Sequence, residues 1–494
     1  MKDQGQTWSF VFIKMLAYTF SAVLALSPLL QAAFDLPLQL AFQQAVLLAC
    51  LAWLLLGLRE RGLPAGLFDG RSRLLWGAAA FTLAALVFSP FRGYIFNEWG
   101  NYAAGLLIFV FASFLNKEER ALADRAVIAG AWLIFGFSLL QAFVLKNFAA
   151  QPPLTNLNAL ALYAVMVIPL ALERKLWPSA GAMIILVVWT QSLGAALAGL
   201  ATAGFYAAQR LKGGELRENA WLLAALAALA LPVLYLLQAD SVAGRLAWWR
   251  SAWEMFLARP LTGFGHASFT WTQAAFQAEG VFREHAIYAH NYYLEFLSEN
   301  GLPAAILWFW LLLRAARTRT GLVKYSIIAA LVHSLVDFGL SVPANFWLFC
   351  YLLSSEAAAG EPIRVSRRWA AAALVLAVLF EAALLGLDYR SLAFEKARGR
   401  ALAASVRGDA AGAEAELRPA LETKLFRAPA LEFLGRLNLT AKDAGFNSAV
   451  YFEMSLLENR YSAASWRALK RIYSVPGREE AAAGLERRRA EVFR

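Results

Sequence analysis

The residues of this chain best suited to moving a proton or holding an anion are concentrated between Gly244 and Gly301. Three of the four histidines fall there (His266, His285 and His290), together with Arg245, Arg250, Arg259 and Arg283 and a set of Trp and Tyr side chains. Imidazole exchanges protons near neutral pH, and the guanidinium fork matches phosphate and carboxylate with two parallel hydrogen bonds. No Walker loop, HExxH or cysteine-based metal pattern occurs, and no DxD or DD pair that could hold Mg²⁺ stands in the segments expected on the outer side. Chemistry in this stretch therefore falls to histidine and arginine, with no metal or cofactor implied. Cys50 and Cys350 lie inside apolar runs and read as small core residues.

The elements that must position these residues are set by composition. The chain has 494 residues, of which 60% are hydrophobic and only 16% charged, against about a quarter charged in soluble domains. Its apolar residues come in runs of about twenty, the length that crosses a hydrocarbon core as a helix. This is the pattern of an all-α, polytopic membrane bundle. The net charge of +11 comes from arginines clustered in short loops between the runs, as expected of cytoplasmic loops, so nucleic acid is not an expected partner.

Spans are expected over 8–30, 36–58, 74–89, 95–115, 127–145 and 157–172. A cleaved signal peptide is the rival reading of the first, but Lys14 interrupts the run and no convincing cleavage site follows. The stretch 178–209 has basic clusters at both ends, Arg174 and Lys175 before it and Arg210, Lys212 and Arg217 after it. If basic loops stay inside, the chain must go out and return, turning near Thr190-Gln191-Ser192-Leu193-Gly194. Short helices meeting at a polar turn are tolerated where protein or a water-filled cavity surrounds them. Further spans are expected over 221–237, 302–313, 323–340, 344–355 and 370–387, about thirteen in all by the alternation of basic loops. The transmembrane bundle is then 1–387, with an outward-facing loop at 238–301.

The tail, 388–494, is rich in Ala, Glu, Arg and Leu with apolar residues three and four apart. Gly408-Asp409 and Pro476-Gly477 are turn signals. It reads as a small helical-hairpin domain, similar to degenerate tetratricopeptide repeats although no clean period is visible. An odd number of spans puts it outside the cytoplasm, where helical repeats usually bind a partner.

Gly244-Arg245 with Trp249, then Pro260-Leu261-Thr262-Gly263-Phe264-Gly265, His290-Asn291-Tyr292-Tyr293-Leu294 and Glu299-Asn300-Gly301-Leu302 resemble the O-antigen ligase and polymerase family. Asn156-Leu157-Asn158-Ala159-Leu160-Ala161 with Ile168-Pro169-Leu170 upstream is similar to that family, as is His333-Ser334-Leu335-Val336-Asp337-Phe338 with Val342-Pro343-Ala344-Asn345 downstream. The resemblance covers roughly 156–353, with its motifs in the family's order. It implies a helical membrane glycosyltransferase fold in a bacterial inner membrane. The implied activity is a metal-independent, inverting transfer of a glycan from an undecaprenyl-diphosphate carrier at the periplasmic face. The acceptor would be lipid A core, a growing polysaccharide or a protein hydroxyl; membrane lipids are further partners.

Within that resemblance, His290 matches the family's functional histidine, as base or diphosphate ligand; the alternative is that His290 and Asn291 only cap the next helix. Arg245 matches a loop arginine that clamps diphosphate, against an arginine snorkelling to headgroups. Arg250, Arg283, Arg92, Asn291, Tyr292 and Trp249 are further candidates for binding substrate. His333 and Asp337, four apart, are expected on one helical face as a structural pair or a proton relay. His266 and His285 read as loop-structure residues. Trp248, Trp249, Trp253 and Trp271 suit either sugar stacking or an interfacial aromatic belt.

One position departs from the family. Its outward turn usually reads Ser-Arg-Gly, whose arginine contacts the carrier phosphate; here it is Ser192-Leu193-Gly194, and a leucine side chain donates no hydrogen bond. Arg92, Arg250, Arg283 or Lys146 could replace that contact. The alternative is an inactive relative that binds lipid-linked glycan or scaffolds an assembly machine. A secondary transporter fits less well, because no internal repeat is visible and the polar residues gather in one loop.

Overall fold

The computed structural model describes residues 3–59, 62–146, 156–210, 239–277, 286–355, 363–439 and 445–493. Over these residues the protein is an all-α membrane protein. The membrane part comprises α1 (Asp3–Leu26), α2 (Leu36–Arg59), α3 (Gly70–Val87), α4 (Arg92–Ala112), α5 (Lys117–Leu139) and α6 (Leu157–Glu173), then α7 (Trp177–Thr190), α8 (Leu193–Arg210), α9 (Ala239–Ala258), α10 (Tyr292–Thr318), α11 (Val323–His333) and α12 (Pro343–Leu353). The long α13 (Arg367–Val406) leads into the tail, α14 (Ala410–Leu421), α15 (Arg427–Leu439), α16 (Gly445–Glu458), α17 (Ala463–Tyr473) and α18 (Glu479–Val492). The expected span at 221–237 lies outside the described residues.

Side-chain caps start several of these helices. Asn116 and Glu119 form a reciprocal capping box at α5, and Asp69 accepts from the backbone of Arg71 and Ser72 at 2.9 and 2.7 Å to begin α3. The expected paired short helices are present as α7 and α8, separated at Gln191, which turns left-handed at φ 51°. Buried α6 and α12 form the centre: Tyr163, Trp347 and Tyr351 are all at most 1% exposed. Such helices, apolar all round, occur only inside a bundle.

Polar contacts mark the two ends of the bundle. At one end Arg174 pairs with Asp124, Tyr351 donates to Asp124 at 2.6 Å and Arg120 donates to the Ala112 carbonyl at 2.7 Å. These join the end of α4, the start of α5 and the last residues of α6 and α12. A two-residue antiparallel ladder pairs Gly62 with Arg364 and Leu63 with Ile363. The other end gathers the start of α4, α6, α10 and α12 with the last residue of α11, and it holds the site described below.

Three expectations change. The span expected over 323–340 ends at His333; a turn over 334–338 and a short 3₁₀ segment, Gly339–Ser341, follow. His333 and Asp337 therefore do not share a helical face. The helix expected to start at 302 starts at Tyr292 and continues through a break at Gly301, φ 75° and ψ 173°, followed by Pro303. The last span does not stop at 387: α13 runs unbroken for 40 residues. Only 6% of its apolar window is buried, and Trp369, Leu376, Leu379 and Phe380 stand exposed, a surface suited to lipid.

Successive tail helices pack on one another as helical hairpins; a tetratricopeptide assignment does not follow from that packing. The tail docks on the site end of the bundle. Tyr94 donates to Glu432 at 2.9 Å, Tyr461 meets Phe264 edge-on at 4.9 Å and Phe493 meets Phe276 at 5.3 Å. Gly93 permits this approach, because a Cβ there would collide with the backbone carbonyl of Leu425.

Candidate functional site

The site is built on the loop that enters α10. Asn291 is extended, φ −157°, and its Oδ1 accepts from the N–H groups of Tyr293 and Leu294, both at 3.1 Å. This cap fixes the start of the helix. Just before it, His290 adopts a left-handed conformation, φ 52°, uncommon outside glycine and costing about 1 kcal/mol or more. The loop is over-determined: Ala289 N–H donates to Glu295 Oε2 at 2.6 Å, and Tyr292 N–H donates to the Ser334 carbonyl at 3.0 Å. The second bond ties this loop to the turn after α11, which carries Asp337.

Asp337, 1% exposed, is the centre of the ionic cluster. Its Oδ2 lies 3.5 Å from the Arg245 guanidinium, supplied by α9, and 3.9 Å from His290 Nδ1. The latter distance is beyond hydrogen-bond length. Burial acts to raise the Asp337 carboxyl, but His290 and His333, with the Phe338 N–H at 2.8 Å, outweigh it and hold the group below the usual carboxylate range. His333 is fully buried, and neither ring nitrogen has a hydrogen-bond partner among the described residues. Its ring packs on Gly194, where a Cβ would come within 3.1 Å. The Ser192-Leu193-Gly194 turn thus abuts the cluster.

His290 is held between aromatic rings. Trp248 stacks on it at 5.0 Å and 22°, Phe338 meets it edge-on at 4.9 Å, and Tyr288 stacks on Phe338 at 4.5 Å. These residues border a cavity of about 770 Å³, also lined by Glu98, Tyr102, Asn156, His266, Tyr292, Glu295 and Glu299. His266 Nδ1 lies 3.8 Å from Glu299, and its ring lies 5.0 Å from Tyr102. Burial pushes the His266 imidazole down to about 4, so it is neutral near pH 7.

Sequence reasoning did not single out Glu98 or Glu295, and it gave Glu299 a place in a motif but no role. Glu295 also accepts from Ser341 Oγ at 2.6 Å, and Glu299 accepts from the N–H groups of Ala267 and Phe269 at 2.9 and 2.8 Å. These carboxylates staple the cavity loops to α10. Their signal was available, since Glu295 and Glu299 are four apart on a helix that is otherwise largely apolar.

The other expected residues separate. Tyr292 lines the cavity, and its hydroxyl accepts from Trp308 Nε1 at 3.0 Å. Trp249 keeps its indole nitrogen buried without a partner among the described residues, but the residue is not in the cavity wall. Arg250 is exposed. Arg92 is exposed too, bonds the Val87 carbonyl at 3.3 Å and lines a different cleft, with Arg259 and Arg460. Arg283 and His285 lie outside the described residues. The Asn291 oxygen is occupied by the helix cap. Of the Trp set, Trp248 and Trp271 border the cavity.

Fold and site together define a helical membrane protein in which an arginine, two histidines and an aspartate from separate segments meet beside a large cavity. Residues 178–309 match the family model for O-antigen ligase, so this part of the chain is similar to that family. The matched segment contains α7 to α9, Arg245 and His290, and ends before His333 and Asp337. No curated protein matches the chain.

Proposed function

We propose that this protein transfers a glycan from an undecaprenyl-diphosphate carrier to an acceptor hydroxyl at the periplasmic face of a bacterial inner membrane, by a metal-independent inverting displacement. The observation that carries the reading is the convergence of Arg245 and His290 on buried Asp337 at 3.5 and 3.9 Å, beside a cavity of about 770 Å³.

In this mechanism Asp337 orients the His290 imidazole through Nδ1, leaving Nε2 to take the proton of the acceptor hydroxyl. The acceptor oxygen forms the new bond to the anomeric carbon as the bond from that carbon to the diphosphate oxygen breaks. The electron pair leaves with the diphosphate. Arg245 supplies positive charge to it, because a single carboxylate contact leaves other guanidinium donors for phosphate oxygens. The Asp337–His290 gap shortens when substrate fills the cavity, as catalytic hydrogen bonds commonly do. Leu193 offers no donor, so the carrier phosphate depends on Arg245.

The test is genetic. A strain deleted for this chain should regain its surface glycan from the wild type but not from His290→Ala or Arg245→Ala proteins that accumulate normally in the membrane. Normal glycan display from both variants would instead favour a scaffold that binds lipid-linked glycan without transferring it.

A further inference from the structure

A second cavity, of about 520 Å³, lies between the tail and the bundle. Its walls are Phe91, Thr270, Trp271 and Ala274 on one side, and residues of α15 and α17 on the other. Three arginines face it, Arg436, Arg467 and Arg471, against one carboxylate, Glu432. That carboxylate is committed: it pairs with Arg436 and accepts from Tyr94 and Ser462 at 2.9 and 3.0 Å. Arg467 and Arg471 stand one turn apart on the same face of α17, and neither has a carboxylate partner among the described residues. Arg467 Nε donates to the Ala463 carbonyl in its own helix, at 3.3 Å. Two solvated guanidiniums over a groove with no free carboxylate favour an anionic ligand.

The groove adjoins the His290 cavity, since Thr270 and Trp271 line both. Trp271 is 37% exposed and its ring lies 4.8 Å from Tyr94, so an indole face stands at the junction. The remaining wall is Ser462, Ala464, Ala468 and one larger apolar side chain, Leu439, a short apolar surface for acyl chains.

We propose that this groove binds a stretch of acidic glycan, carrying carboxylate or phosphate groups, with Trp271 stacking on a sugar ring and Arg467 and Arg471 holding the charges. The assignment rests on the glycan-transfer reading in taking the ligand to be part of the acceptor or product, but its test needs no transfer.

Full-length protein in detergent is titrated into end-labelled oligogalacturonate and, separately, into a neutral maltooligosaccharide of equal length, read by fluorescence polarisation. Oligogalacturonate should bind more tightly, and Arg467→Ala/Arg471→Ala should weaken it at least tenfold. Both residues are exposed, so the variant should keep the wild-type melting curve, and Arg471→Glu alone should also weaken binding. His290→Ala should bind like wild type, so a loss of transfer with binding intact separates the two sites. Equal binding of the neutral sugar, or unchanged binding by the double variant, would overturn the proposal. So would a double variant that loses only its association with phosphatidylglycerol vesicles, since the groove would then be a lipid-headgroup site.

Discussion

Asp337 and Arg245 are coupled strongly enough for a double-mutant cycle to test the cluster directly. At 3.5 Å, with side chains 1% and 11% exposed, the pair attracts by about 5 kcal/mol at an effective dielectric constant of about 20. Removing one member of a buried pair costs about 3–5 kcal/mol because the other charge is left uncompensated. The two single changes should not be equal. Arg245→Gln leaves Asp337 with the Phe338 N–H at 2.8 Å and with a glutamine amide that can still donate to it. Asp337→Asn leaves the Arg245 guanidinium with no carboxylate among the described residues, so it should be the more damaging. In Arg245→Gln/Asp337→Asn neither charge remains, and a coupling of about 2–3 kcal/mol should be recovered. The assay is thermal unfolding of the full chain in one detergent, comparing the order of the four midpoints. The expected order is wild type, double variant, Arg245→Gln, Asp337→Asn. Additive losses, with the double variant lowest, would refute the ion-pair reasoning.

Other positions give separable outcomes. Asn291→Ala should cost about 1 kcal/mol through the lost helix cap, while Asn291→Asp keeps the cap and should melt like wild type; wild-type melting of Asn291→Ala would show that the cap carries no weight. His266 has a folded pKa of about 4, below its ordinary 6.5. Its contribution to stability is therefore complete above pH 6.5 and lost as pH falls toward 4, by at most about 3 kcal/mol. Melting curves of His266→Gln should accordingly be flatter across that window than those of the wild type, and parallel curves would contradict the assignment. Leu193→Arg places a guanidinium in the turn beside His333 and should raise the initial rate of glycan transfer; an unchanged or lower rate would mean the turn does not reach the carrier phosphate.

The parts of this fold that were legible in the sequence are those decided locally. Basic residues on both sides of 178–209 called for two short helices joined by a turn, and α7 and α8 meet at Gln191. Asn291 could be read as a helix cap because asparagine before an apolar periodic run is a local signal. The end of α11 was not legible: no proline or glycine follows His333 until Gly339, so helical periodicity continued past the real boundary. The meeting of Arg245, His290 and Asp337 depends on α9, the α10 entry loop and the turn after α11 packing together, which spacing along the chain does not encode. The same holds for Glu295 and Glu299, whose staples to Ala289 and Ala267 come from the folding of loops back onto α10. Continuity of α13 into the tail escaped because the composition changes near 388 while helix propensity does not.

The most direct measurement uses the purified chain in proteoliposomes with a polyprenyl-diphosphate-linked glycan and a hydroxyl acceptor, following free polyprenyl diphosphate and glycosylated acceptor together. The account predicts that wild type forms both in equal amounts, that His290→Ala forms neither, and that adding a chelator changes nothing. Undiminished turnover by His290→Ala, or no turnover by wild type with a donor and acceptor from its own cell, would contradict it.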